Sequence, residues 1–282
     1  MEPLRVSVVR YLNTAPLVWG FLHGPQRGQV ELSFTVPATC AEALGTGAAD
    51  VGIIPSIAYQ TIPGLKVIPG TALAARGRVQ SVVLVSRVPV AEARSVGLDP
   101  ASRTSAALVR ILFARQWKTQ PHFREQEPNL ERMLAQNDAA LVIGDPALQF
   151  SLNSAAAPGV GQLGKLFVYD LGDEWHRLTG QPFVFAFWAV RAAKASPALP
   201  EAFAASKEFG LAHLEEIAAQ AAEQLNLPEA ALARYLRENI QFSLTAETCA
   251  GLESFFRYAY DLGLISQIKP LEFIPSGSEG SS

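Results

Sequence analysis

Cysteine and histidine are scarce in this 282-residue chain. Its two cysteines, Cys40 and Cys249, form no Cys-x-x-Cys pair and sit in helix-like surroundings. A disulfide framework is therefore excluded, and both read as small buried apolar groups. The four histidines, His23, His122, His176 and His213, show neither i, i+4 pairing nor a His-Glu-x-x-His pattern, so no metal site is expected. Charge is low as well. Only 17% of residues are charged, and 23 Lys and Arg against 26 Asp and Glu leave a net charge of −3 with no basic run. Such a chain is a poor nucleic-acid binder. No window approaches the ~20 uninterrupted apolar residues of a transmembrane helix, so no membrane span is expected. The opening Met1-Glu2-Pro3-Leu4-Arg5-Val6 lacks a basic n-region, an apolar stretch and a cleavage site, and the expected location is the cytoplasm. Nucleophile elbows and Walker loops are also missing, which removes the common hydrolase and nucleotide classes.

What the chain has in quantity is apolar residues, 49%, enough for sizeable cores. At roughly 150 residues per domain, the length suggests two. Strand-like and helix-like segments alternate. Leu4–Arg10, Glu31–Val36 and Val51–Ile54 read as strands, with helical spacing over Thr14–Leu22 and Cys40–Leu44 between them. That order predicts a parallel sheet with right-handed crossovers. A long β-type run, Val79–Ser86, precedes a second series: strands at Ser95–Leu98, Ala139–Ile143 and Phe167–Tyr169, helices at Ser105–Trp117 and Pro146–Leu152. A second long run, Phe183–Arg191, closes it. From Ser196 to Gly263 the chain is helical, with Pro197 in a first turn and a stripe of Leu252, Phe255, Phe256, Ala259 and Leu262. The Gly/Ser-rich tail, Ser276 to Ser282, is expected to fray.

Two long strands flanking a middle series predict an α/β protein of two lobes, joined by two crossover strands around a central ligand cleft. Residues 1–86 and 189–282 would form one lobe, with the helical C-terminus packed on it, and residues 87–188 the other. A single larger doubly wound domain is the alternative.

Polar residues gather at the strand-to-helix junctions, where open α/β sheets hold ligands and helix starts favour anions. In Arg10-Tyr11-Leu12-Asn13-Thr14-Ala15-Pro16, Asn13 either caps the first helix or presents its amide to a cleft, and spacing favours the cap. In Asp50-Val51-Gly52-Ile53-Ile54-Pro55-Ser56, the Ser56 hydroxyl could meet an anion or cap a turn. Ser81, in Gly77-Arg78-Val79-Gln80-Ser81, would lie near the cleft. Asp99 through Ser102-Arg103-Thr104-Ser105 puts three hydroxyls and a guanidinium at one helix start. One cap needs one hydroxyl, so this segment points to a bound carboxylate, although Arg103 would also suit a surface ion pair. Asp145, in Ile143-Gly144-Asp145-Pro146, reads first as an N-cap and second as a partner for a substrate hydroxyl or a bridging water. The aromatic run from Asp170 to Phe183 reads as core. Hydroxyls, amides and backbone donors dominate, which suits a small carboxylated molecule.

In order, R-Y-L-N-T-A-P, D-V-G-I-I-P-S, G-R-V-Q-S-V, S-R-T-S, V-I-G-D-P-A-L and D-L-G-x-E-W-x-x-x-T-G-x-P-F-V-F-A-x-W resemble the chorismate dehydratase family of the futalosine route to menaquinone. The resemblance spans Leu4 to Trp188. It implies a type II periplasmic-binding-protein fold and elimination of water from chorismate to 3-[(1-carboxyvinyl)oxy]benzoate, with no metal or organic cofactor. It implies a dicarboxylate substrate, with one carboxylate on the Ser102–Ser105 helix start and the other meeting Ser56 and Ser81 from the opposite lobe. Asn13 would be the catalytic residue, orienting a carboxylate or the leaving hydroxyl, while Arg103, Thr104, Ser105 and Asp145 bind. The motifs hold no strong base, which leaves the substrate's own enolpyruvyl carboxylate as candidate. A monomer or homodimer is expected. A sister family on the same fold, which makes 1,4-dihydroxy-6-naphthoate, relies on a histidine that no motif carries onto this chain. A non-catalytic small-anion binding protein is the other alternative. The effector domain of a DNA-binding regulator is weaker still, because no helix-turn-helix precedes the first strand.

Overall fold

The computed structural model describes residues 3–156 and 166–275. The tail from Ser276 lies outside the described residues. Strand and helix alternate from the start: β1 (Leu4–Val9), a 3-10 turn (Leu12–Thr14), α1 (Ala15–His23), β2 (Val30–Thr35), α2 (Pro37–Thr46), β3 (Val51–Pro55), α3 (Ala58–Thr61) and β4 (Leu65–Ala75). The middle series is β5 (Val82–Ser86), β6 (Ser95–Leu98), α4 (Arg103–Leu112) continued by a π turn (Phe113–Trp117), β7 (His122–Glu125), α5 (Leu130–Gln136), β8 (Ala139–Ile143), α6 (Gly144–Ala156), β9 (Phe167–Asp170) and α7 (Leu171–Thr179). Then come β10 (Phe183–Arg191), α8 (Leu199–Ala212), α9 (Leu214–Leu225), α10 (Glu229–Glu238) and α11 (Ala246–Asp261). Among the described residues no helix is long and apolar enough to cross a membrane.

Two five-stranded sheets result, ordered β2-β1-β3-β10-β4 and β7-β6-β8-β5-β9. The two orders are the same pattern. In each, three parallel strands are followed by one antiparallel strand that arrives from the far end of the other series. The two lobes and the α/β class are as expected, but the boundaries move. Val82–Ser86 belongs to the second sheet and Phe183–Arg191 to the first, so the chain crosses at residues 76–81 and returns at residues 180–182, not at 86 and 188. Each long run was legible as a strand. Which sheet it joins is decided by partners far away in sequence, Ile143 for Val82 and Ile53 for Trp188.

Other departures have local causes. β5 begins at Val82 rather than Val79 because Gln80 is left-handed, with φ 62°, and Asp170 takes the N–H groups of Val79 and Gln80 at 3.0 and 2.6 Å. α8 starts at Leu199 with Pro200 in its first turn, two residues later than Pro197 suggested. β4 carries Pro69-Gly70, and the ladder with β10 shifts register there and resumes. The Asp170–Phe183 run is core as expected: Trp175 is fully buried and donates to the Pro182 carbonyl. Cys40 is buried, and burial pushes its thiol up to about 11. Cys249 is only half-buried, and neither cysteine is in a disulfide.

The C-terminal helices cover the first sheet. α8 lies on α1 so closely that a Cβ on Gly210 would sit 2.0 Å from the Pro16 carbonyl oxygen, which only glycine accommodates. Trp188 of β10 meets Phe203 of α8 edge-on at 4.9 Å, both fully buried. This packing fixes the start of α1, and with it the polar loop after β1.

Candidate functional site

The two sheets present the C-terminal ends of their parallel strands to one cleft, as open α/β sheets do. The cavity there encloses about 620 Å³, its mouth included. The ends of β1, β3 and β8 line it, together with the starts of α2, α4 and α6, so three helix N-termini converge on one space.

Asn13 lines this cavity. It caps nothing: α1 has no side-chain cap, although spacing favoured one. The reason is the 3-10 turn that runs into the helix. Its carbonyls take the first free N–H groups, Thr14 N–H to Tyr11 O at 3.0 Å and Ala15 N–H to Leu12 O, which releases the Asn13 amide.

Ser102, Arg103, Thr104 and Ser105 line the opposite wall at the start of α4. Ser102 is the N-cap residue by position, yet its side chain accepts no cap bond, and its buried Oγ has no hydrogen-bond partner. A buried hydroxyl left unsatisfied costs about 1–3 kcal/mol, so it marks a place for a ligand acceptor. Thr104 Oγ1 accepts the Ile57 N–H at 3.2 Å, and Arg103 pairs with Glu42 at 2.8 Å. Both contacts reach across the cleft from the second lobe to the first. The surface ion pair considered for Arg103 is thus made, by a residue that also lines the cavity.

Ser81 lines the cavity floor, buried, and leads directly into β5. It therefore stands on the same side as α4, not opposite it. Two expected binding residues lie elsewhere. Ser56 is turned onto β10, its N–H bound to Phe185 O at 3.0 Å and its Oγ donating to Val184 O at 2.6 Å, because the end of β3 is laddered to that strand. Asp145 is not an N-cap, since α6 already begins at Gly144, and it does not line the central cavity. Its carboxylate reaches across the lobe boundary and accepts the Leu12 N–H at 2.9 Å. Burial, opposed by that hydrogen bond, pushes Asp145 up to about 6.

Tyr11 and Tyr235 were not singled out by motif reading. Tyr11 lines the cavity and packs on Gly144; burial, with the charges of Asp99 and Asp145 behind it, raises its phenol to about 12. Gly144 has φ 67°, and a Cβ there would come within 2.4 Å of the Tyr11 ring. Tyr235 of α10 donates from below to Ser81 Oγ at 2.8 Å. Its signal in the sequence was slight: one polar-tipped residue on the buried face Leu232, Ala233, Tyr235, Leu236.

The lining contains Tyr11 and Arg103 as its titratable side chains, with no carboxylate, lysine or histidine among the described residues. Nor is there any group of three His, Cys, Asp or Glu there that could hold a metal. The site offers hydrogen-bond donors and one cation to an anion, in a space closed by three polar bridges between the lobes.

Comparison with known proteins agrees with this picture. Residues 4–261 match the model of a family described as menaquinone biosynthesis. The chain is 30% identical over 265 residues to a chorismate dehydratase of Thermus thermophilus, covering 90% of this chain and 94% of that one. Among solved structures it is similar to an Archaeoglobus fulgidus protein, with TM-score 0.72 and 17% identity over 93% of this chain and 98% of that one. It is also similar to the periplasmic aliphatic sulphonate binding protein of Escherichia coli, with TM-score 0.63 and 19% identity over 99% and 98%. The architecture is that of the periplasmic binding proteins.

Proposed function

The chain belongs to the menaquinone-biosynthesis family, and from that premise we propose that it is a chorismate dehydratase, a carbon–oxygen hydro-lyase acting in the cytoplasm. The observation that carries the reading at the site is Ser102 Oγ, buried without a partner at the start of α4 beside Arg103 and Ser105. A substrate carboxylate seated there completes the hydroxyl, gains the helix-start N–H groups, and meets a guanidinium. Asn13 and Ser81 then face the remainder of the molecule.

The reaction removes the ring hydrogen from the carbon bearing the enolpyruvyl ether and the hydroxyl from the neighbouring carbon. Chorismate becomes 3-[(1-carboxyvinyl)oxy]benzoate and water. The new aromatic ring supplies driving force, so the protein needs to orient more than to activate. Among the described residues no strong base lines the cavity. In this reading the substrate's enolpyruvyl carboxylate takes the ring proton, and the departing hydroxide leaves as water with it. Asn13 holds that carboxylate or the leaving hydroxyl through its amide, and the bridged lobes keep bulk water out. Among the described residues no histidine lines the cavity, which favours this reading over that of the naphthoate-forming sister family.

The test is to mix purified protein with chorismate and follow products by liquid chromatography with mass detection. An aromatic species one water lighter, formed over many turnovers, is the expected result. Saturable protection against thermal unfolding without turnover would replace the enzyme with a binding protein. Neither reaction nor binding would reject the assignment.

A further inference from the structure

One side chain ties the cleft floor to the C-terminal helices. Tyr235 is buried on the inner face of α10, and its hydroxyl donates to Ser81 Oγ at 2.8 Å. The Asn13 side chain lies close enough to the same hydroxyl to interact with it. A tyrosine hydroxyl has a single proton. With that proton given to Ser81, the oxygen has only lone pairs to offer Asn13, which suits the amide nitrogen rather than the amide oxygen. Its Oδ1 is occupied on the other side, accepting the Thr14 hydroxyl at 3.4 Å. One N–H of Asn13 is left for the cleft. Ser81, now an acceptor from Tyr235, keeps its own proton, whose protein partner is the Val79 carbonyl at a long 3.4 Å. A carboxylate would outbid that bond.

We propose that Tyr235 is a positioning residue that sets the direction of hydrogen bonding at the cleft floor, so that Asn13 and Ser81 both face the substrate as donors. Without the phenol, Asn13 is free to flip and offer its carbonyl oxygen, and Ser81 to offer lone pairs, and both repel an anion. Asn13 comes from the first lobe and Ser81 from the second, so the same hydroxyl also joins the lobes where they meet under the cavity. Burial raises the Tyr235 pKa above the ordinary tyrosine value, which keeps the proton on the phenol that must donate it. The inference rests on the chorismate reading for the identity of the anion.

The experiment compares wild type with Tyr235→Phe, each alone and in an Asn13→Ala/Ser81→Ala background. Chorismate turnover is measured alongside calorimetric binding of isophthalate, an unreactive aromatic dianion. Phenylalanine keeps the packed ring, and the melting temperature checks the fold. Tyr235→Phe is expected to lower kcat/KM and to weaken isophthalate about tenfold, the scale of one well-placed hydrogen bond. In the double-alanine background it is expected to change isophthalate binding by less than about twofold, because the groups it positions are gone. An unchanged kcat/KM and isophthalate affinity in Tyr235→Phe overturns the proposal, as does an equal loss in both backgrounds, the mark of a merely structural role. A wild type inert toward chorismate rejects the assigned reaction instead, and isophthalate binding still decides the role of Tyr235.

Discussion

The carboxylate of Asp145, in the first turn of α6, accepts the backbone N–H of Leu12 across the lobe boundary at 2.9 Å. Leu12 precedes Asn13, so this bond fixes the loop that carries the amide. It also holds a carboxyl group where ionisation is costly. Burial raises its pKa from 3.8 to about 6, against the pull of the Leu12 N–H. The folded protein therefore binds this proton more tightly than the unfolded chain does. As pH climbs from about 4 to about 6 the native state loses on the order of 3 kcal/mol from this group, and the loss is complete above pH 6. Asp145→Asn keeps an acceptor for Leu12 and removes the titration. The wild-type melting temperature is expected to fall relative to Asp145→Asn by about 6 °C between pH 4 and pH 7, at about 2 °C per kcal/mol for a chain of this size. Parallel melting curves across that range would show that Asp145 is not the group concerned.

Asn13 lines the cavity, and in the proposed reaction it faces the anionic substrate as a donor. Asn13→Ala is expected to cost about tenfold in kcat/KM, the loss of one hydrogen bond. Asn13→Asp has nearly the same shape, yet it is expected to cost on the order of a hundredfold or more, because like charges placed together cost several kcal/mol. Steady-state kinetics on both variants decides the point, and an aspartate variant at least as active as the alanine one would refute the charge argument.

Arg103 and Glu42 form an ion pair across the cleft, with Arg103 also lining the cavity. The pair is solvent-exposed and of small intrinsic worth. Glu42→Gln is expected to leave KM within about twofold, whereas Arg103→Ala raises it about tenfold through loss of a charge-assisted carboxylate contact. Equal effects from the two substitutions would reduce Arg103 to a clasp between lobes.

Gly144 sits at φ 67° with the Tyr11 ring against it. Gly144→Ala costs about 1–2 kcal/mol of backbone strain, which a melting curve will register. Its larger effect is on closure. The new methyl occupies space the ring needs, at 2.4 Å, so the lobes stop short. Small-angle scattering with substrate present is expected to give a larger radius of gyration than wild type, with most of the turnover lost. Wild-type compactness and activity would remove Tyr11 and Gly144 from the closing surface.

Much of this was readable from residues alone, for physical reasons. Fully buried strands such as Val-Val-Leu-Val and Phe-Val-Phe-Ala-Phe-Trp-Ala-Val announce themselves through unbroken apolar β-type runs. Their sheet membership does not, since it depends on pairing with Ile143 and Ile53. The excess of hydroxyls before α4 pointed correctly to the cavity wall. Ser56 looked equivalent, but its hydroxyl is spent on Val184, a strand 128 positions away. Asp145 was misread for a related reason: a local capping pattern competes with an acceptor role for Leu12, 133 positions away. Tyr235 was invisible because a helix stripe shows burial without showing what lies beneath it.

The interleaved sheets carry a consequence for synthesis. Residues 82–179 hold the whole of the second sheet in one uninterrupted stretch, whereas β10 must be inserted between β3 and β4 to finish the first. A ribosome delivers the N-terminal end first. The middle of the protein is thus complete while the earlier strands β3 and β4 still wait, each with an open edge, for a partner made more than a hundred residues later. Until Phe183–Arg191 arrives, the nascent chain carries two sticky borders of its own making, and this interval is when the protein is most exposed to pairing with the wrong neighbour.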